Sequence, residues 1–282
     1  MSKLKEVRAL AQYADLGNRI ASSRFSDLLT KGYMQFPKIV NKETCFLAHE
    51  STKSDFNKNL EKYDKETLLN IAEFGCVRSP FIWSNVFRDL MLEPLVQTIC
   101  KTFFPCGHIL HLNRSIIDSH QLCCAPSPAE LHRDIPYLFT PTNFPLSLSF
   151  LFFFSESESS QLAILPDSHD TLFFSENRSL VPINTSVGSL LVFNSSLMHC
   201  SLPSKEDVSY SLYMFSSPIV KQVVDYSSAE ALAQITRNKY RLTEINQLLG
   251  FNYLVPKDDD KLINRKISRV AANKEFYKGT SG

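Results

Sequence analysis

A β-rich core of the α+β class, arranged as a jelly roll with helices packed on it, is the fold this sequence predicts. Three observations lead there. From about residue 107 the hydrophobic period changes from helical to alternating. Short apolar runs then recur between clusters of Pro, Ser, Asn and Asp, at the spacing of a sandwich or jelly roll. The segments on either side carry apolar stripes at helical spacing instead.

Residues 1–31 read as helical, through Leu4, Val7, Leu10 and Ala11 and then Ile20, Phe25, Leu28 and Leu29. Gly32-Tyr33-Met34-Gln35-Phe36 breaks that stripe and reads as a short strand before Pro37. Residues 52–73 carry a helical stripe at Leu60, Tyr63, Leu68 and Ile71 on an otherwise charged, solvated segment. A helical pair follows over 81–92 and 94–104, with Pro94 at a helix start, where its missing N–H costs nothing. Strands are expected over 108–118, 131–135, 146–154, 161–165, 180–183, 189–194 and 208–215. Leu146-Ser147-Leu148-Ser149 alternates, then turns fully apolar through Phe154, as a central strand buried on both faces does. A last helix opens on the capping box Ser227-Ser228-Ala229-Glu230 and closes at Gly250. The chain is therefore divided into helical support over 1–106, a strand-built core over 107–217 and a helical segment with a polar tail over 218–282.

The 282 residues suffice for a sizeable core, and 44% hydrophobic with 21% charged residues is an ordinary globular balance. Thirty Lys and Arg against 29 Asp and Glu give no basic footprint, so neither nucleic acid nor a membrane surface is expected as a partner. A charged start at Met1–Arg8 and seven scattered cysteines point to a reducing, cytoplasmic setting. Eight glycines supply no Walker loop, nucleophile elbow or dinucleotide fingerprint.

The chemistry concentrates in Glu130-Leu131-His132-Arg133-Asp134-Ile135. On a strand, residues two apart project to one side, so His132 and Asp134 present an imidazole and a carboxylate together. A second imidazole on a neighbouring strand would complete the two-histidine, one-carboxylate face that holds non-haem Fe(II). His199, in Leu197-Met198-His199-Cys200-Ser201, is the candidate. A His-x-Asp alone is a weak signal, equally at home on a surface strand. No Cys-x-x-Cys spacing makes a structural zinc site of His120, Cys123, Cys124 or the His199-Cys200 pair.

Taken in order, His132-x-Asp134, the apolar strand, Leu165-Pro166-Asp167-Ser168-His169, Val187-Gly188-Ser189-Leu190-Leu191-Val192-Phe193-Asn194 and His199-Cys200-Ser201 resemble the phytanoyl-CoA dioxygenase family of Fe(II)/2-oxoglutarate oxygenases. The likeness spans about 107–217, and Gly32-Tyr33 resembles that family's N-terminal strand. It implies a double-stranded β-helix, with His132, Asp134 and His199 as iron ligands and with 2-oxoglutarate and O₂ as co-substrates. An aliphatic C–H of a small metabolite would be hydroxylated or otherwise oxidised, with release of succinate and CO₂. Ser201, Phe150 and Arg114 fall where the family's co-substrate-lining side chains are expected. His169 matches a loop that does not bind the metal, with Asp167 in place of its glycine, so that turn should be built differently. One departure stands out: the arginine that holds the far carboxylate of 2-oxoglutarate belongs where this chain has Ser209 and Tyr210. Arg114 is the first candidate to replace it, Lys205 and Arg133 weaker ones, and the Tyr210 hydroxyl a neutral alternative. An iron enzyme of the same fold with altered oxo-acid use, and a jelly-roll binding protein without turnover, remain as other readings.

Overall fold

The computed structural model describes residues 24–70, 74–105, 107–118, 131–135, 145–155, 162–170, 179–184, 186–202, 208–218 and 229–250. Helix α1 (Ser26–Thr30) leads through Gly32 into β1 (Tyr33–Phe36), and α2 (Lys42–Lys62) and α3 (Lys65–Asn70) follow. After β2 (Cys76–Arg78) come a 3₁₀ turn (Pro80–Ile82), α4 (Asn85–Met91) and α5 (Pro94–Phe103). Seven strands succeed them: β3 (Ile109–Asp118), β4 (Ser147–Phe153), β5 (Leu162–Ile164), β6 (Val181–Ile183), β7 (Leu190–Asn194), β8 (His199–Ser201) and β9 (Val208–Ser216). Helices α6 (Ala229–Arg237) and α7 (Leu242–Leu248) close the described chain.

The strands form two antiparallel sheets, one of six strands in the order β1-β7-β4-β9-β3-β2 and one of three in the order β6-β5-β8. The large sheet is covered on both sides, which is why every residue of β4 is buried and its sequence runs apolar. One face carries Leu148, Phe150, Phe152, Leu190, Val192, Tyr213 and Phe215 and packs on the helices. The other carries Leu151, Phe153, Leu191 and Phe193 and meets Leu162, Ile164 and Ile183 of the small sheet. The predicted jelly roll with packed helices is thus the fold observed.

The departures have local causes. Helix α2 begins ten residues before the expected stripe, capped by the Asn41 side chain, which accepts from the Thr44 N–H at 2.8 Å. Its buried face there is Cys45, Ala48 and Thr52, while Phe46 and Leu47 lie in solvent, so the apolar stripe misreads the face. The single helix expected over 81–92 is broken because Arg88 takes the Phe81 and Ile82 carbonyls at 2.7 and 3.4 Å. The expected strand 131–135 shrinks, among the described residues, to one bridge between His132 and His199. Pro136 follows it and has no N–H to extend a ladder. The last helix is likewise two, parted at Arg241, whose φ is +48°, and Gly250 ends the second with φ +75°. The expected helix over 1–23, the capping Ser227 and the tail lie outside the described residues, as do His120, Cys123, Cys124 and Lys205.

Candidate metal centre

Two backbone hydrogen bonds set the site. The His132 N–H donates to the His199 carbonyl and the His199 N–H to the His132 carbonyl, both at 2.9 Å. That reciprocal pair brings two histidines, far apart in sequence, to face each other with ring centroids 4.4 Å apart. Strand β8 owes its place to β5, where Ile164 pairs with His199 and Leu162 with Ser201. The Phe193 ring lies 4.9 Å from the His199 ring and fixes its other flank.

Asp134 lies two residues beyond His132 of the bridge. Its Oδ1 stands 3.5 Å from His199 Nε2, and its Oδ2 accepts from the Ser149 hydroxyl at 2.7 Å. The other His199 ring nitrogen, Nδ1, donates to the Leu197 carbonyl at 3.0 Å, since a carbonyl can only accept. Nε2 is the ring nitrogen left facing the carboxylate: protonated it donates to Asp134 Oδ1, and deprotonated it has a lone pair for a metal. Burial works against charge on both His199 and Asp134, but their mutual hydrogen bond and attraction outweigh it. The imidazole is raised above its ordinary pKa, and the carboxylate is lowered below its own.

One donor atom from each of His132, Asp134 and His199 falls within 4.8 Å of the others. Donors at right angles about 2.1 Å from one metal stand roughly 3 Å apart, so a cation would draw this set inward by an ångström or two. Two imidazoles and one carboxylate are the donors that suit non-haem iron and leave coordination positions open.

The remaining candidates divide by strand face. On β9, Tyr210, Leu212 and Met214 share a face, and the register puts Ile116, Arg114 and Leu112 of β3 opposite them. This is the inner face, since Tyr210 and Leu212 pack on the cluster between the sheets and Ile135 packs on Leu112 and Met214. Arg114 and Tyr210 therefore look inward. Ser201 lies two residues after His199 on β8, hence on the same side of that strand. Phe150 and Ser209 do not look inward, and the expectation that they line the co-substrate is corrected. Phe150 stands edge-on to Phe215 in the core beneath the helices, and Ser209 meets His49 Nδ1 at 2.8 Å. Each is one residue out of phase with the inner row. Arg133 is also turned to other work, donating to the Ser196 carbonyl at 2.6 Å.

His169 lies outside the cluster. It is buried, and its Nε2 donates to the Leu29 carbonyl at 2.9 Å. Asp167, in the turn before His169, adopts the left-handed φ of +59°. Aspartate is among the few side chains that tolerate that conformation.

Missed by sequence reasoning is the serine chain behind Asp134. Ser149 meets Ser195 at 2.9 Å, and Ser195 meets Ser147 at 3.0 Å. The signal was there: Ser147 and Ser149 are the hydroxyl-bearing alternate positions of an otherwise apolar strand.

Known proteins share this fold. The non-heme alpha-ketoglutarate-dependent epimerase SnoN from nogalamycin biosynthesis superposes with a TM-score of 0.52 at 13% identity, over 77% of this chain and 88% of its own. HygX from Streptomyces hygroscopicus, solved with iron bound, superposes at 0.51 and 16% identity, over 74% of this chain and 93% of its own. With nickel and 2-oxoglutarate bound, HygX gives 0.50 at 14% identity over the same shares. In sequence, the uncharacterized proteins Rv1501 of Mycobacterium tuberculosis and Mb1539 of Mycobacterium bovis are each 25% identical over 201 residues, 68% of this chain and 72% of theirs. The profile of the phytanoyl-CoA dioxygenase (PhyH) family matches residues 6–207, well over half of the sequence, and the chain belongs to that family.

Proposed function

We propose that this protein is an Fe(II)/2-oxoglutarate-dependent oxygenase that oxidises an aliphatic C–H of a small molecule, with His132, Asp134 and His199 holding the iron. The observation that carries the reading is the convergence of these three donors within 4.8 Å. Their chemistry fits a cation. His199 Nε2 and Asp134 Oδ1 face each other at 3.5 Å, joined through the Nε2 proton, and both become electron-pair donors to a cation once that proton leaves. A ferrous ion takes both pairs at once.

The chain's own groups prepare that ion's place. The Leu197 carbonyl holds the His199 tautomer that exposes Nε2, and the Ser149 hydroxyl holds one carboxylate oxygen so that the other faces inward. The backbone bridge fixes His132 without using its side chain. Three ligands leave three positions for an oxo acid chelating through two atoms and for O₂. Bound there, the iron would couple oxidative decarboxylation of 2-oxoglutarate, giving succinate and CO₂, to oxidation of the substrate. Ser201 and Tyr210 are assigned to the walls of the co-substrate pocket. All three stretches of the chain serve this one centre, 107–217 as its barrel and the flanks as support. A reducing, cytoplasmic setting suits ferrous iron and the free thiols of Cys45, Cys76, Cys100 and Cys200. No helix among the described residues is long and apolar enough to cross a membrane.

The test is iron stoichiometry under anaerobic dialysis, read beside succinate release. One Fe(II) per chain is expected, together with succinate formation that requires both Fe(II) and 2-oxoglutarate. His199→Ala and Asp134→Ala should each weaken iron binding at least about tenfold. Unchanged iron content in either variant would overturn the ligand assignment.

A further inference from the structure

Arg114 is an arginine in an unusual position. It sits mid-strand on β3, facing inward opposite Leu212, and its Nε is buried without a hydrogen-bond partner. Among the described residues no carboxylate pairs with it. The inner rows of β4, β7 and β9 hold serines, leucines, phenylalanines, a tyrosine and a methionine, and no other lysine or arginine. A buried donor left unmade is costly, and a guanidinium directs five such donors in one plane. On its other side the register sets Arg78 of β2 directly opposite, and like charges across a strand pair repel. Both costs vanish when an anion lies against the guanidinium.

The place of that anion follows from the rows of the sheet. Leu112 and Met214 touch Ile135, the residue after Asp134, so their row lies beside the metal cluster. Arg114 and Leu212 are the next inward pair along the same two strands, about 7 Å farther on, which is the reach of a five-carbon dicarboxylate. On β9 the next inward residue is Tyr210, which is neutral, and Ser209 is turned to the helices.

We infer that Arg114 binds the far carboxylate of the co-substrate, so that a guanidinium on β3 takes the part that no residue of β9 can play here. The assignment rests on the oxygenase reading above. It makes Arg114 the residue that selects a dicarboxylate over a monocarboxylate oxo acid, through a bidentate charge-assisted pair.

The experiment titrates the anaerobic Fe(II) protein with two acids of equal length, following the visible charge-transfer band that marks oxo-acid chelation. One is 2-oxoglutarate. The other is 2-oxopentanoate, which lacks the far carboxylate. The wild-type protein should bind 2-oxoglutarate at least about tenfold more tightly. In Arg114→Met that preference should disappear while 2-oxopentanoate binds as before, and Arg114→Lys should restore part of it. A preference kept intact by Arg114→Met overturns the assignment, as does a wild-type protein that chelates both acids equally. An iron-loaded wild-type protein that chelates neither acid would instead overturn the oxygenase reading itself, and the Arg114 assignment with it. If Arg114→Met does not fold, the comparison is made on Arg114→Lys, for which an unchanged ratio and an unchanged 2-oxoglutarate affinity count against the proposal.

Discussion

Asp134 shows how single side chains tune this centre. Ser149, Ser195 and Ser147 own three hydroxyl protons, yet they make four close oxygen contacts: Ser149 to Asp134, Ser149 to Ser195, Ser195 to Ser147, and Ser147 to the Phe215 carbonyl at 3.0 Å. One contact must go without a proton. Ser149 donates to Asp134, the strongest acceptor, while Ser195 donates to Ser147 and Ser147 to the Phe215 carbonyl, so the Ser149–Ser195 contact is the one left without a proton. Ser149→Ala cuts this line at its first link and frees Oδ2 to compete for the cation. Iron affinity should fall about 10- to 100-fold with little change in fold, as for other groups that orient metal ligands. Anaerobic iron titration of the variant checks it, and wild-type affinity would show the serine chain to be packing alone.

His108 is the residue that ties stability to pH. Burial first, and the nearby Lys101 charge second, depress its pKa to about 4. Its Nε2–H donates to Gln97 Oε1 at 3.0 Å, and its ring stands edge-on to Phe215. An unfolded chain takes this proton near pH 6.5, the folded one only near pH 4. Protons therefore favour unfolding between those values. The neutral form's contribution is complete above about pH 6.5 and declines as pH falls toward 4, by up to about 3 kcal/mol. His111, fully buried and lowered in the same direction by burial, adds to the slope. His108→Phe should flatten the curve of urea midpoint against pH over this window, and an unchanged slope would assign the effect elsewhere.

At the scale of elements, the turn between α1 and β1 is built on a missing side chain. Gly32 has φ +83°, and a Cβ there would stand 2.6 Å from His169 Nδ1 and 2.7 Å from Leu197 Cδ1. Its carbonyl accepts from the Asn194 N–H at 2.8 Å, at the start of the turn that delivers His199. Gly32→Ala should therefore reach the metal centre through Leu197, whose carbonyl holds the His199 ring. We expect a stability loss of about 1–3 kcal/mol together with weaker iron binding, whereas a purely local strain would lower the melting temperature alone.

How far the sequence spoke can be read from such elements. Strands β3, β4, β7 and β9 were legible because their apolar runs are long and bounded by turn residues. The convergence of His132, Asp134 and His199 was legible because His132 and Asp134 lie two apart and one further histidine follows a strand and a turn. Strand faces were not legible on β4 and β9. A strand buried on both sides is apolar on both, so nothing marked Phe150 as facing the helices rather than the barrel. Strands β2 and β8 span three residues each and carry too little pattern to register. The structure of α2 hides its buried face in Cys45, Ala48 and Thr52, whose Oγ1 meets Ser115 of β3 at 2.6 Å. That contact is polar, and hydrophobic periodicity cannot see it.

The whole molecule is a sheet clamped between a barrel interior and a helical layer, and one buried arginine joins the ends of that layer. Arg88 is fully buried on α4, and among the described residues no carboxylate stands against its guanidinium. Its Nη1 donates to the Asn238 and Tyr240 carbonyls at 2.8 and 2.6 Å, and Nε donates to the Phe81 carbonyl. The Asn238 and Tyr240 carbonyls belong to the break between α6 and α7, so a side chain from the first third of the chain holds the last described segment. That segment in turn adds Ile235, Ile245, Leu248 and Leu249 to the core beneath the large sheet. Arg88→Met keeps the aliphatic stem but leaves the Phe81 and Ile82 carbonyls buried without this donor and frees those of Asn238 and Tyr240, at a cost of about 3 kcal/mol. Because the shared core couples the segment to the sheet, the loss should appear in the global urea midpoint and in amide-exchange protection across the strands, and not only over 229–250. Iron affinity of the folded fraction should stay at the wild-type value, since the donors hang from the opposite face of the sheet. A variant that lost protection only over 229–250, with the midpoint unmoved, would mean that the C-terminal helices fold as a separate unit and that Arg88 merely docks them.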